Sequence, residues 1–205
     1  WYEVRVSEAG YIGRRGGVDL MVAMNPQTWD QDVAEIDRGG YLFYDSTRPI
    51  PPSKFRDDIS VVGVPLTAIC NERYSDPRQR QLFKNIIYVG VMAEMLGIDI
   101  DVVEGLIREQ FKAKEKLIAP NFEALHMGRD YARSELAGAV ALKVRQSDAV
   151  GDRIFLEGNN AAGLGCVYGG ATVAAWYPIT PSTSLAEAFG RHCQRYRVDK
   201  ETGKH

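Results

Sequence analysis

Cysteine is scarce: Cys70, Cys166 and Cys193 are three in 205 residues, an odd number too widely spaced for a disulfide framework or a CxxC metal motif. Such usage fits a reducing cytoplasm. Histidine is equally scarce, and His126, His192 and His205 share no metal-ligand spacing, so each reads as a surface or packing residue and no metal site is assigned. Cys166 lies among small residues with no base beside it, which makes it a packing residue rather than a nucleophile. An excess of either charge is also missing, since 25 basic and 27 acidic residues are mixed along the chain; this excludes an electrostatic argument for nucleic acid or an anionic membrane as partner. No apolar run approaches the roughly 20 residues that span a bilayer, and no charged-then-apolar signal opens the chain. A small molecule or another protein is the expected partner.

What is present is length for one large domain or for one ordinary domain and part of another, 205 residues, with 45% of them apolar, enough for a core. The opening Trp1 to Val6 alternates like a strand already in progress, as if the protein began upstream. Val18 to Met24 is a short apolar run stopped by Asn25-Pro26, the pattern of a buried parallel strand. A helix is expected over roughly Gln27 to Ile36, after which Arg38-Gly39-Gly40 turns the chain into a strand at Tyr41 to Tyr44, closed by Asp45-Ser46. A third strand, Ile59 to Val64, ends at Pro65. Strand, helix and strand in this order predict a doubly wound parallel sheet.

The middle of the chain is helical. Asp76-Pro77 places a cap acceptor before a proline at the first helical position, and Leu82, Ile86, Val89, Ala93 and Leu96 follow at helical spacing until Gly97. A second helix opens near Asp99 or Asp101, and a third near Pro120. From about Ser134 to Asp152 no apolar face persists, so domain boundaries are expected at 1–135 and 153–205 with a connection at 136–152. The second part reads as a helix of small residues, Ala161 to about Tyr168; a Gly169-Gly170 turn; a strand, Thr172 to Tyr177; and a helix opened by a Ser184-Leu185-Ala186-Glu187 capping box.

The chemistry is expected around Tyr177-Pro178-Ile179-Thr180-Pro181-Ser182. Two prolines fix the backbone on either side of one hydroxyl, between helix N-termini whose outward N–H groups favour an anion. The plainer alternative is that the prolines end a strand and Ser182 to Ser184 cap a helix. Asn25 and Asp45-Ser46 fall at the C-terminal ends of neighbouring strands, where open sheets bind ligands, and Arg14-Arg15-Gly16-Gly17 reads either as an exposed turn or as a contact for a phosphate-bearing ligand.

Several of these segments together resemble the 2-oxoacid:ferredoxin oxidoreductases that depend on thiamine diphosphate. Gly158-Asn159-x-Ala161, the Gly-Gly turn and Tyr177 to Ser182 look like the opening of the pyrimidine-binding domain of the α subunit. Val4 to Ser7, Asp19 to Pro26, Gly39 to Leu42 and Asn121-x-x-Ala124-x-x-x-Gly128 look like the family's γ domain. A γ domain fused ahead of the α domain most resembles 2-oxoglutarate:ferredoxin oxidoreductase. The resemblance implies a fragment of an enzyme that decarboxylates 2-oxoglutarate to succinyl-CoA and passes electrons to ferredoxin. It also implies that the fragment is inactive alone, with no catalytic residue inside it.

On the same resemblance, Thr180 binds substrate and Tyr177, Pro178, Ile179, Thr180 and Ser182 line the cofactor. Thiamine diphosphate would be shared with a β subunit that carries Mg2+ and the iron–sulfur cluster. Coenzyme A, as co-substrate, would meet Arg14, Asn25 and Ser46, unless those residues form an interface. Two alternatives stay open: pyruvate or another 2-oxoacid as substrate, and a non-catalytic nucleotide-binding or interaction module.

Overall fold

Three strands, Val18–Ala23 (β1), Ile36–Asp45 (β2) and Ser60–Val64 (β3), form a parallel sheet in the order β1-β2-β3 in a computed structural model that describes residues 2–10, 13–148 and 151–204. Period-2 alternation sends successive side chains of the central strand to opposite faces. Leu42 and Phe43, both 0% exposed, accordingly anchor two separate apolar clusters. On one face Leu42 joins Ala23, Ile36 and the helix Trp29–Ala34 (α1), where Trp29 packs edge-on to Tyr44 and Phe55 and donates its indole N–H to Lys54 O. On the other, Phe43, Val62 and Val64 meet helices Leu66–Arg73 (α2), Pro77–Leu96 (α3) and Ile118–Glu135 (α5). Helices on both faces of a parallel sheet give the expected α/β class.

Cap chemistry works as the sequence predicts in the two helices that follow α2. Asp76 accepts from Arg78 N at 2.9 Å, with Pro77 at the first position, and α3 ends at Gly97 with φ +72°. Asp99 likewise caps Ile100–Phe111 (α4). α4 is held to α5 where His126 Nε2 meets Glu104 Oε1 at 2.7 Å and Arg108 reaches the same carboxylate at 2.9 Å; these partners, His126 first, hold the Glu104 carboxyl below its usual range. His126 is thus a packing histidine, and His205 lies outside the described residues.

α3 and α5 cross at two glycines. A Cβ on Gly90 would stand 2.0 Å from Leu125 O, and one on Gly128 1.9 Å from Ile87 O. The Ala124-x-x-x-Gly128 spacing serves this backbone-to-backbone approach, and the buried Asn121 in the same helix donates to Leu117 O.

Expectations for several elements are corrected. Gly39-Gly40 does not precede the second strand but forms a bulge within it: Val18 pairs with Ile36 and Leu20 with Tyr41. Gly39 there takes φ +78°, and a side chain at Gly40 would collide with Ile36 and Asp37. The opening segment is not a strand over residues 2–6, which pair with no strand among the described residues, and Trp1 lies outside them. α2 was not anticipated; only Leu66 and Cys70 of its eight residues are buried, too few to register as a periodic stripe. Residues 136–147 pack on the first of two compact units, which runs to Ser147. Val140 is buried there, Ala141 N donates to Tyr41 OH at 3.1 Å, and Val144 N to Leu96 O at 2.7 Å.

The second unit, Asp148–His205, contains helices Gly158–Tyr168 (α6) and Ser182–Tyr196 (α7). A further correction is here: Thr172 to Tyr177 is not a strand, because a strand exists only by pairing and no partner strand occurs among the described residues of this unit. No helix of the described residues is long and apolar enough to cross a membrane.

Candidate functional site

α6 and α7 approach closely because Gly163 has no side chain: a Cβ would lie 2.8 Å from Phe189 N and 3.0 Å from the Ala188 methyl. His192 Nε2 pairs with Asn160 Oδ1 at 2.7 Å and locks the two helices in register. Arg197, after α7, donates to Val167 O, near the C-terminus of α6, at 2.6 Å and to Ala171 O just beyond that helix. These contacts frame the loop from Tyr177 to Pro181.

That loop turns tightly on itself. Ile179 N donates to Tyr177 O at 2.7 Å and Ser182 N to Ile179 O at 2.8 Å. Ser182 Oγ lies 3.0 Å from Tyr177 O and 2.7 Å from Ile179 O, so its hydroxyl is engaged in shaping the loop. Tyr177, Pro178, Ile179 and Thr180 are exposed. Among the described residues the Thr180 hydroxyl has no hydrogen-bond partner, which leaves one donor and its lone pairs for a ligand. The predicted capping box does not form. α7 begins at Ser182 after Pro181, without a side-chain cap, and Ser184 Oγ instead donates to Pro181 O at 3.1 Å.

Asn159 is the residue whose task the sequence did not disclose. Its Nδ2 donates to Pro181 O at 2.9 Å and to Ser184 Oγ at 2.7 Å, while Glu157 caps α6. Asparagine near a helix start signals only a cap; nothing local says that its amide reaches 22 residues ahead.

In the first unit, the parallel register brings the C-terminal ends of β1 and β2 side by side. Asn25 is exposed there, its Oδ1 accepting from Gln27 N at 3.0 Å, and Ser46 N donates to Val64 O at 2.9 Å. Arg14 is not brought to them: it pairs with Glu3 at 2.9 Å, on the approach to β1. Between these ends Asp45 accepts from Thr47 Oγ1 at 2.6 Å, from Thr67 N at 3.3 Å and from Thr67 Oγ1, with Lys84 Nζ 3.8 Å away. Burial pushes the Asp45 carboxyl up, but the hydrogen bonds from Thr47 and Thr67 outweigh it and hold the group below its usual range. Thr47 Oγ1 accepts from Ala68 N at 3.0 Å. The first amides of α2, which would otherwise invite a phosphate, are therefore already satisfied from within. Cys70, one turn further, is buried, and burial pushes its thiol up, away from nucleophilic use.

Among the described residues no three His, Cys, Asp or Glu converge on a point that could hold a metal ion.

A family model described as pyruvate ferredoxin/flavodoxin oxidoreductase matches residues 1–131. The α subunit of 2-oxoacid:ferredoxin oxidoreductase 2 from Aeropyrum pernix is 32% identical over 137 residues, 64% of this chain and 21% of that protein. Subunit KorA of 2-oxoglutarate oxidoreductase from Mycobacterium tuberculosis is 22% identical over 214 aligned residues, 93% of this chain and 33% of that one. The solved 2-oxoglutarate:ferredoxin oxidoreductase from Magnetococcus marinus, with 2-oxoglutarate, coenzyme A and succinyl-CoA bound, superposes with a TM-score of 0.73 at 26% identity, over 88% of this chain and 31% of its own. The chain thus spans a third or less of the length of each of these three proteins.

Proposed function

Because this chain belongs to the pyruvate ferredoxin/flavodoxin oxidoreductase family, we propose that it forms part of the α subunit of a coenzyme A-acylating 2-oxoacid:ferredoxin oxidoreductase acting on 2-oxoglutarate. Residues 1–135 are then the γ domain, 136–152 the connection, and 153–205 the start of the pyrimidine-binding domain. The observation that carries the reading is Thr180: an exposed hydroxyl without a partner among the described residues, on a loop whose neighbouring hydroxyl, Ser182, is engaged in holding its shape. A donor held in place before substrate arrives stabilises developing negative charge without reorganising at the moment of reaction.

Thiamine diphosphate, when bound, supplies the carbanion chemistry that decarboxylation of a 2-oxoacid requires. The residues present fit one end of it. Tyr177 and Ile179 are exposed apolar groups beside Thr180 and suit an aromatic ring. The other end is the diphosphate with its metal ion. We assign that end, the Mg2+ and the iron–sulfur cluster to a partner β subunit, from which ferredoxin receives the electrons. We assign coenzyme A to the C-terminal edge of the sheet at Asn25 and Ser46, where open sheets bind ligands; the Magnetococcus neighbour, solved with coenzyme A, supports coenzyme A as a ligand of the family but not this placement. The same neighbour and the KorA relative favour 2-oxoglutarate. Thr180 would meet only the carboxylate and keto group common to all 2-oxoacids, so pyruvate is the alternative, decided by a panel of substrates. A cytoplasmic location accords with the free thiols.

Thr180→Val preserves shape and removes the hydroxyl. In the complete, β-subunit-containing enzyme it should lower turnover of the 2-oxoacid by about 10- to 1,000-fold, the span for losing one such donor, with cofactor content unchanged. A structural threonine would instead lower the melting temperature and leave turnover per folded site intact, which would remove this loop from the substrate site.

A further inference from the structure

We propose that Asn159 is a positioning residue for Thr180: from the first turn of α6, its side-chain amide fixes the backbone of the loop that offers the Thr180 hydroxyl to substrate. The inference rests on the reading of Thr180 as the substrate-binding group. Residues 172–181 are exposed and belong to no strand, so no ladder of backbone bonds holds them. The bonds among Tyr177, Ile179 and Ser182 shape the loop and join it to the first residue of α7, but they do not tie it to α6. Asn159 does. One hydrogen of its amide goes to Pro181 O, the carbonyl of the residue after Thr180, at 2.9 Å, and the other to Ser184 Oγ at 2.7 Å. Ser184 Oγ itself donates to Pro181 O at 3.1 Å, so three groups close a ring around that single carbonyl.

A side-chain amide, with two N–H donors on one nitrogen, meets both demands here. Aspartate would set an acceptor against the Pro181 carbonyl, and alanine would leave it without its partner from α6. Nor is the side chain needed to start the helix, because Glu157 accepts from Asn159 N and serves as the cap. The frame that Asn159 stands on is itself fixed: its neighbour Asn160 pairs with His192, and Gly163 seats α6 directly on the α7 backbone. Asn159 therefore carries the rigidity of the helix pair to the residue beside Thr180. Displacing a reacting contact by about 1 Å can cost on the order of 100-fold in rate.

The test is a double-mutant cycle in the complete subunit assembled with its partners. Thr180→Val, Asn159→Ala and the double variant are compared by kcat/KM for the 2-oxoacid, KM for coenzyme A, and melting temperature. Asn159→Ala should lower kcat/KM about 10-fold or more, leave KM for coenzyme A within roughly twofold, and add less than about twofold on top of Thr180→Val, since a residue acting only through Thr180 has nothing left to position. If Thr180→Val is impaired but Asn159→Ala is not, or if the two losses multiply, the positioning role is wrong while the Thr180 reading stands. If Thr180→Val turns over normally, the substrate reading falls and this inference falls with it. Should Asn159→Ala fail to assemble, Ser184→Ala opens the same ring from the other side. It should give a smaller loss that is again absent in the Thr180→Val background, and an undiminished kcat/KM would overturn the proposal.

Discussion

At the scale of one residue, Asp45 governs the C-terminal edge of the sheet. Its carboxylate accepts from the backbone and side chain of both Thr47 and Thr67, and so satisfies the first turn of a helix that lies 22 residues ahead. Burial opposes its charge, but those four hydrogen bonds prevail and its pKa lies below the ordinary carboxylate value. A carboxyl whose folded pKa is depressed adds stability above its unfolded pKa, about 3.9 for aspartate, and that contribution is lost as pH falls through the folded value. Asp45→Asn should therefore destabilise the chain at pH 7 by about 1–3 kcal/mol, the range for unpairing buried donors. The gap to the parent should narrow on acidification below pH ~4. Melting curves of the two proteins at both pH values check this; an equal gap at both would mean that the carboxylate's charge contributes nothing. In the sequence Asp45 was legible as the end of a strand and Thr180 as a hydroxyl between prolines. Asn159 was visible as a letter in a motif but not as a tie, because a long-range hydrogen bond leaves no trace in local spacing.

At the scale of elements, the crossing of α3 and α5 depends on Gly90 and Gly128. Gly128→Ala gains helix propensity, worth up to about 1 kcal/mol. It also drives a methyl toward Ile87 O, which lies 1.9 Å from the position a Cβ would take. A backbone carbonyl cannot rotate away as a side chain does, so the helices must separate, and overpacking of about 1–3 kcal/mol should win. Gly105 in α4 is the control: nothing lies within 4 Å of its added Cβ, so Gly105→Ala should stabilise by about 0.5–1 kcal/mol. Urea midpoints moving in opposite directions for the two variants are the expected result, and a stabilised Gly128→Ala would show that α3 and α5 are not in this contact. The same physics separates what the sequence discloses from what it hides. α3 and α4 announce themselves because their caps and apolar stripes are local. The bulge at Gly39-Gly40 and the unpaired Thr172 to Tyr177 do not, since pairing belongs to two segments at once, and an apolar run reads the same with or without a partner.

At the scale of the whole molecule, the two units differ in how they treat apolar surface. The first closes its sheet between helices on both faces. The second leaves Phe155, Tyr168, Val173 and Tyr177 each more than 80% exposed, so its described residues present uncovered apolar surface. Under the proposed function that surface and the Thr180 loop supply one wall of the thiamine diphosphate site, and the partner subunit supplies the rest. Most of the affinity for such a cofactor comes from its charged end, where a divalent metal ion and its oxygen ligands hold the diphosphate. Under the proposed function those donors lie on the partner subunit. The exposed ring contacts offer apolar area alone, and much of what that area returns is offset by the lost freedom of a bound ligand. Calorimetric titration of the 205-residue chain with thiamine diphosphate and Mg2+ should therefore show no saturable binding at micromolar cofactor, whereas the enzyme assembled with its β subunit should bind. Saturable binding by the chain alone, at a stoichiometry near one, would put the diphosphate and metal donors within these residues and overturn the division of the site between two subunits.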